Sequence, residues 1–194
     1  MAIDAFLVIR PNPQNPPIGE APTTDSYFLK TFPGATVISI SDFEFAVENS
    51  AAIGSASGGA GGAGAGKAKF DELVIHKAID RASPGLFSVC SSGRSFAAVQ
   101  LYIRKATPGP GTTGVAAPFL AYEFQTVLIT KIDWSGGGAD PEPSEEVTFA
   151  YGALAIAYQP TNPDGSPAGA PVKEGWSQVT NSPSVQDSIA PAMT

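Results

Sequence analysis

Residues 66–106 read GKAKFDELVIHKAIDRASPGLFSVCSSGRSFAAVQLYIRKA, and the fold is decided inside them. From Phe70 to Ile79 both parities are partly apolar, with Leu73 and Ile75 on one side and Phe70 and Val74 on the other. That is the mark of a strand covered on both faces. Ser83-Pro84 follows, an N-cap residue and then proline at the first helical position. Leu86, Val89 and Cys90 fall at i, i+3 and i+4, and Gly93 supplies a left-handed stop. The spacing predicts one short helix over residues ~84–92. After Gly93 the period drops to two: Ala97, Val99, Leu101 and Ile103 alternate with Gln100, Tyr102 and Arg104. The stretch is therefore strand, helix, strand.

Outward from it, the rest of the chain reads as strands and turns. Ala5 to Ile9 is a short apolar run, and Val37, Phe43, Phe45 and Val47 share a parity against Asp42 and Glu44. Leu120, Tyr122, Phe124 and Leu128 alternate with Glu123 and Gln125. Val147, Phe149 and Tyr151 hold one parity, whereas Leu154, Ile156 and Tyr158 hold the other, which predicts a bulge or bend beside Gly152. A weak strand is expected near Val172 to Val179. Residues 11–34 carry Pro11, Pro13, Pro16, Pro17, Pro22 and Pro33 and read as an irregular loop in which Tyr27 to Leu29 pair briefly. Residues 50–66 are almost all Gly, Ala and Ser and read as a flexible loop. The expectation is a mainly β protein: a two-sheet β-barrel of about six to eight antiparallel strands with one short helix. A single domain is expected over 1–181, with a tail over 182–194.

Composition bounds the partners. The 194 residues include 21 Gly and 18 Pro and are only 15% charged, which favours strands and turns over a helical bundle. A net charge of −7 argues against nucleic acid and anionic membrane as partners. Cys90 is the lone cysteine, so no intrachain disulfide forms. The start Met1-Ala2-Ile3-Asp4 has no basic, apolar secretory pattern, and no run reaches the ~20 apolar residues of a membrane span. Synthesis in the cytoplasm, without membrane insertion, is the expectation.

No catalytic constellation emerges. Gly61 to Ala68 nearly fits a phosphate-binding loop, but Ala68 stands where a Mg²⁺-holding hydroxyl is needed and a strand pattern follows in place of a helix. His76 is the only histidine, too few nitrogen and sulfur ligands for a zinc site, and the nucleophile elbow G-x-S-x-G is absent. Cys90 lies on the helix's apolar stripe and reads as an inert buried thiol. Glu142, Glu145 and Glu146 read as a solvated acidic turn. The reading is of a protein that is not an enzyme and carries no cofactor or metal.

Order and spacing within 66–106 do resemble a known family. The Gly-rich tract ending Gly66-Lys67-Ala68 with Phe70, the His76-Lys77 strand end, Asp80-x-Ala82-Ser83-Pro84, Cys90-x-Ser92-Gly93 and Arg104-Lys105-Ala106 resemble the Hcp family, the hemolysin-coregulated proteins of bacterial type VI secretion. Weaker matches flank them: Met1-Ala2-x-Asp4-x-Phe6-Leu7, Ser41 to Phe45, Val127 to Asp133 with Gly136-Gly137-Gly138, and Gly175-Trp176. The Pro-rich segment 11–34 departs from the family pattern. The resemblance implies a homo-oligomer: a hexameric ring, stacked into an inner tail tube beneath a VgrG spike and inside a contractile sheath, with effector proteins in the lumen. It also implies secretion through that machine without a cleaved signal. Gly54, Gly58, Gly59, Gly61, Gly62, Gly64, Gly66 and Lys67 are the expected inter-subunit or stacking loop. A non-polymerising effector carrier, or the tube of a related contractile injection system, is the alternative.

Overall fold

The computed structural model describes residues 3–10, 18, 25–49, 67–106, 117–138, 142–162 and 167–183. In chain order the elements are β1 (Ile3–Ile9), α1 (Ser26–Thr31), β2 (Thr36–Ile40), β3 (Asp42–Glu44), β4 (Val47–Asn49) and β5 (Ala68–Phe70). There follow β6 (Leu73–Ala78), α2 (Ser83–Ser92), β7 (Ser95–Lys105), β8 (Leu120–Ser135), β9 (Ser144–Tyr158), β10 (Val172–Ser177) and β11 (Ser182–Pro183). The count exceeds the expected strand number because several segments are only two or three residues long. Ser182 and Pro183, assigned to the tail by sequence, pair with Ser177 and Trp176.

Nine strands make one antiparallel sheet in the order β11-β10-β9-β8-β7-β1-β2, with β6 joining β9 to β3. Strand pairing alone does not close this sheet into a ring; the chain bridges the gap. β2 pairs with β1, passes through Ser41, and continues as β3 against β6. Ser41 keeps the connection tight, its N–H donating to the His76 carbonyl at 2.8 Å. One strand thus changes partner halfway, and the sheet wraps around a common interior.

That interior holds Leu7, Ile38, Leu73, Ile75, Phe96, Val99, Phe124 and Phe149, with Leu86 and Val89 of α2 as its lid. Each such side chain contributes about 1.5–3 kcal/mol by leaving water. A second cluster lies on the opposite face of the sheet, where Phe28 and Phe32 cover Phe6, Val8, Val37 and Tyr102.

α2 matches the expected helix, beginning one residue earlier, and Gly93 ends it at φ 64° with its N–H donating to the Cys90 carbonyl. Ser83 does not cap it, however, because its hydroxyl is committed elsewhere. α1 corrects the extended reading of Tyr27 to Leu29. Asp25 caps this helix by accepting from the N–H groups of Tyr27 and Phe28, and Pro33 follows its end.

The phase switch expected at Gly152 is present and is shared. In β9 the core takes Val147, Phe149 and Tyr151, then Leu154. In β8 it takes Phe124, then Val127 and Ile129, because Thr126 sits at φ 54°. In β7 it takes Phe96, then Val99. Gln125 pairs with both Ala98 and Ala153, and Val127 with both Phe96 and Tyr151, so all three strands bend at one level. The bend overturns two assignments from alternation: Leu128 is exposed, and Phe96 replaces Ala97 in the core.

Candidate assembly surface and the clamp behind it

Sequence placed the interaction loop at residues 50–66. Gly54, Gly58, Gly59, Gly61, Gly62, Gly64 and Gly66 lie outside the described residues. Lys67 is exposed at the mouth of β5. Ala68 begins that strand, which removes the helix a phosphate-binding loop requires. The flanks of the loop form a ribbon of their own: Val47, Glu48 and Asn49 pair with Phe70, Lys69 and Ala68. β4 is exposed along its whole length. The ribbon is closed at its base by the Asp71 N–H donating to the Ala46 carbonyl at 2.9 Å. Phe70 folds back from it, edge-on to Tyr151 at 6.0 Å.

At the far end of β6 lies a buried polar centre that local sequence does not announce. Lys77 and Glu145 are each 1% exposed. The Lys77 Nζ donates to Glu145 Oε1 at 2.7 Å, to Ser83 Oγ at 3.1 Å and to the Ala78 carbonyl at 2.8 Å, and pairs with Asp80 Oδ1 at 3.0 Å. Ser83 donates to Glu145 Oε1 at 2.7 Å, and Trp134 Nε1 donates to Glu145 Oε2 at 3.0 Å. Glu145 is therefore no solvated turn residue. It is a charge taken out of water and compensated by donors from β6, α2 and β8, the condition under which a buried ion pair is tolerated. Its neighbour Glu146 stays partly exposed, 3.8 Å from His76 Nε2.

Outside this centre the surface turns apolar. Ile79, Asp80, Ser83, Pro84, Phe87 and Trp134 line an open cleft of about 510 Å³. Phe87 and Trp134 meet at 5.9 Å between ring centroids, yet are 52% and 53% exposed. Exposed aromatic pairs of this kind mark contact surfaces more often than they mark cores.

The remaining sequence candidates do not converge. His76 is on β6, Cys90 is half-buried on α2, and Ser92 is spent on the Ser88 carbonyl. Among the described residues no group of three or more His, Cys, Asp or Glu could hold a metal ion. No helix among them is long and apolar enough to cross a membrane.

Fold and surface together define a mainly β protein of one wrapped antiparallel sheet, not closed by strand pairing into the expected two-sheet barrel, with a clamped lateral helix and a projecting ribbon. Residues 34–158 match the family model described as "Type VI secretion system effector, Hcp". The chain belongs to the Hcp family. A curated relative, Protein hcp1 of Pseudomonas aeruginosa, is 36% identical over 110 residues, covering 57% of this chain and 65% of that protein. The alignment thus spans just under two thirds of that relative's length. Among solved structures, a type six secretion system protein superposes with a TM-score of 0.73 at 25% identity, covering 94% of this chain and 100% of the other. Hcp1 from Salmonella typhimurium gives a TM-score of 0.66 at 21% identity, over 95% and 100%.

Proposed function

We propose that this chain is a structural, non-catalytic subunit of a type VI secretion tail tube. Six copies close into a ring and rings stack into a tube that carries effectors in its lumen. The tube lies beneath a VgrG spike and within a contractile sheath. The chain is made in the cytoplasm and leaves through the machine itself, without a cleaved signal. The Gly-rich loop between β4 and β5, from Gly54 to Lys67, serves the contact between rings.

The observation that carries this reading is the family match over residues 34–158, which takes in the projecting ribbon, α2 and most of the wrapped sheet. A ring fits such a chain, since heterologous contacts close when the rotation between copies closes. An exposed two-stranded ribbon is able to add backbone pairing to a neighbour.

Electron microscopy of the purified protein tests it. Rings, and tubes at high concentration, are expected; a strict monomer at every concentration overturns it. Deleting residues 54–64 is expected to abolish tubes and leave rings, and intact tubes refute the loop's role. Discrete rings that never stack, co-purifying with a cargo protein, would instead support a non-polymerising carrier. That outcome has a physical basis in α1, which lies outside the family match and covers one face of the sheet.

A further inference from the structure

β10 carries an open edge of the sheet. On one side it pairs with β9 along its whole length, from Val172 to Ser177. On the other side, among the described residues, it meets only β11, with Ser182 opposite Ser177 and Pro183 opposite Trp176. Val172 to Gly175 thus present a backbone edge that no described strand covers, and such an edge is a template for a further strand. The register says which groups point outward. The Gln178 N–H, just past β10, donates to the Gly152 carbonyl of β9 at 3.0 Å. Bonding sides alternate along a strand, so Trp176, Glu174 and Val172 also bond toward β9, and Ser177, Gly175 and Lys173 turn their N–H and C=O groups to the open edge. Pro183 agrees with this: it has no N–H to give, and it stands opposite Trp176, in a pair that exchanges no bonds.

The sequence after this proline has the pattern to continue along the edge. Residues 183–189 read Pro-Ser-Val-Gln-Asp-Ser-Ile. Pro183, Val185 and Ile189 alternate with Ser184, Gln186 and Ser188, the period of a strand with one apolar face. Carried on from Ser182 and Pro183, the register sets Ser184 against Gly175, Val185 against Glu174, Gln186 against Lys173 and Asp187 against Val172. Ser184 and Gln186 then fall where Gly175 and Lys173 offer their backbone groups. Cross-strand partners share a face. Val185 therefore falls on the face of Ile156, Tyr158 and Val172, three apolar side chains exposed at this edge. Asp187, the one charge in the run, comes at the last pair, because Pro171 stops β10 there.

We infer that residues 184–187 lengthen β11 along the free edge of β10, so that the sheet is closed on this side by a segment of the same chain. The bonds formed are those of Ser184 with Gly175 and of Gln186 with Lys173, and Val185 extends the apolar face beside Glu174. An edge occupied in this way is withheld from strand addition by any other chain. β10, β11 and the lengthening segment all lie beyond residues 34–158 of the family match. The inference concerns a single chain and does not rest on the tube reading.

Two measurements test it. The first is disulfide trapping in a Cys90→Ala background, which removes the lone native thiol. Glu174→Cys/Val185→Cys places two thiols in a pair that exchanges no backbone bonds, where Cα atoms lie roughly 4.5 Å apart, inside the ~4.4–6.8 Å that a disulfide spans. Lys173→Cys/Val185→Cys is one residue out of register and puts the thiols on opposite faces. Under mild oxidation the first pair is expected to form a disulfide at the mass of one chain, and the second is not. Equal yields from both pairs, or none from the first, overturn the inference. A disulfide-linked species at twice the mass also overturns it, since the edge then belongs to another copy. The second measurement is amide hydrogen exchange on the full chain and on a chain ending at Pro183. Loss of the segment is expected to speed exchange at Lys173 and Gly175 by roughly tenfold or more, while Glu174 and Trp176, bonded toward β9, stay unchanged and check the fold. Unchanged exchange at Lys173 and Gly175 overturns the inference, whether or not the protein forms rings.

Discussion

Each of the two helices is held to the sheet by one buried cation, and the two clamps are built on different chemistry. α2 hangs on Lys77, a compact ammonium enclosed by Glu145, Asp80, Ser83 and a carbonyl. α1 hangs on Arg104, whose guanidinium bonds Asp25 at 2.6 Å and Asp4 at 3.2 Å and lies 4.7 Å over the Phe6 ring and 5.8 Å from Phe28. The lysine clamp satisfies its charge with oxygens from all sides. The arginine clamp uses a flat cation that takes two carboxylates at its edge and aromatic rings on its face, and it leaves Nη1 without a partner. Lys77, Glu145 and α2 lie within the family match, and α1 lies before it. The shared helix is held by a fully compensated ion pair, while the added helix is held mainly by aromatic packing with charge at its margin.

Breaking the first clamp should show the largest effect. Lys77→Met leaves Glu145 buried without a counter-charge and is expected to cost about 3–5 kcal/mol, read as a lower denaturant midpoint at unchanged slope. An intermediate effect is expected at Gly85, where an added Cβ would run into the Ile18 carbonyl oxygen. That contact is with backbone and cannot swing away, so Gly85→Ala is expected to cost roughly 1–3 kcal/mol, measured by thermal unfolding. The smallest effect belongs to the second clamp. Asp25→Ala removes the α1 cap and one Arg104 partner and is expected to cost about 1 kcal/mol.

The second clamp also predicts a pH dependence. Burial pushes the Asp25 carboxyl up, but the Arg104 hydrogen bond and charge, with the N–H groups of Phe28 and Tyr27, outweigh it and leave it below its ordinary value of 3.8. A depressed carboxylate stabilises the fold above the unfolded-state value and loses that contribution as the pH falls through the folded one. The native chain should therefore lose stability faster than Asp25→Ala below pH ~4. Parallel acid-unfolding curves would refute the clamp.

The same contrast explains what could be read in advance. α2 was legible because its signals are local: Ser-Pro at the start, apolar residues three and four apart, Gly93 at the end. α1 has local signals too, Asp25 before it and Pro33 after it, but a helix of six residues offers too short a period to outweigh the loop pattern. Glu145 could not be placed, because its partner Lys77 is 68 positions away and the glutamate sits in a run that looks like a polar turn. Leu128 was misassigned for a related reason. Alternation counts residues evenly, and Thr126, a β-branched residue in the left-handed region, silently adds one. Of the assembly surface, sequence pointed to the ribbon through its Gly-rich loop, whereas the cleft needs Phe87 and Trp134 from elements far apart in the chain.

The bend shared by Ala97, Thr126 and Gly152 gives the wrapped sheet two reading frames. Along β9, odd positions face the main core up to Tyr151; beyond Gly152, Leu154 packs against that core and the odd positions Ala155 and Ala157 join the second cluster. A cysteine walked along the odd positions would begin in the main core and finish in the second cluster, buried throughout, without leaving its parity. A map of such probes would thus locate the bend as the residue where the odd positions pass from one buried cluster to the other.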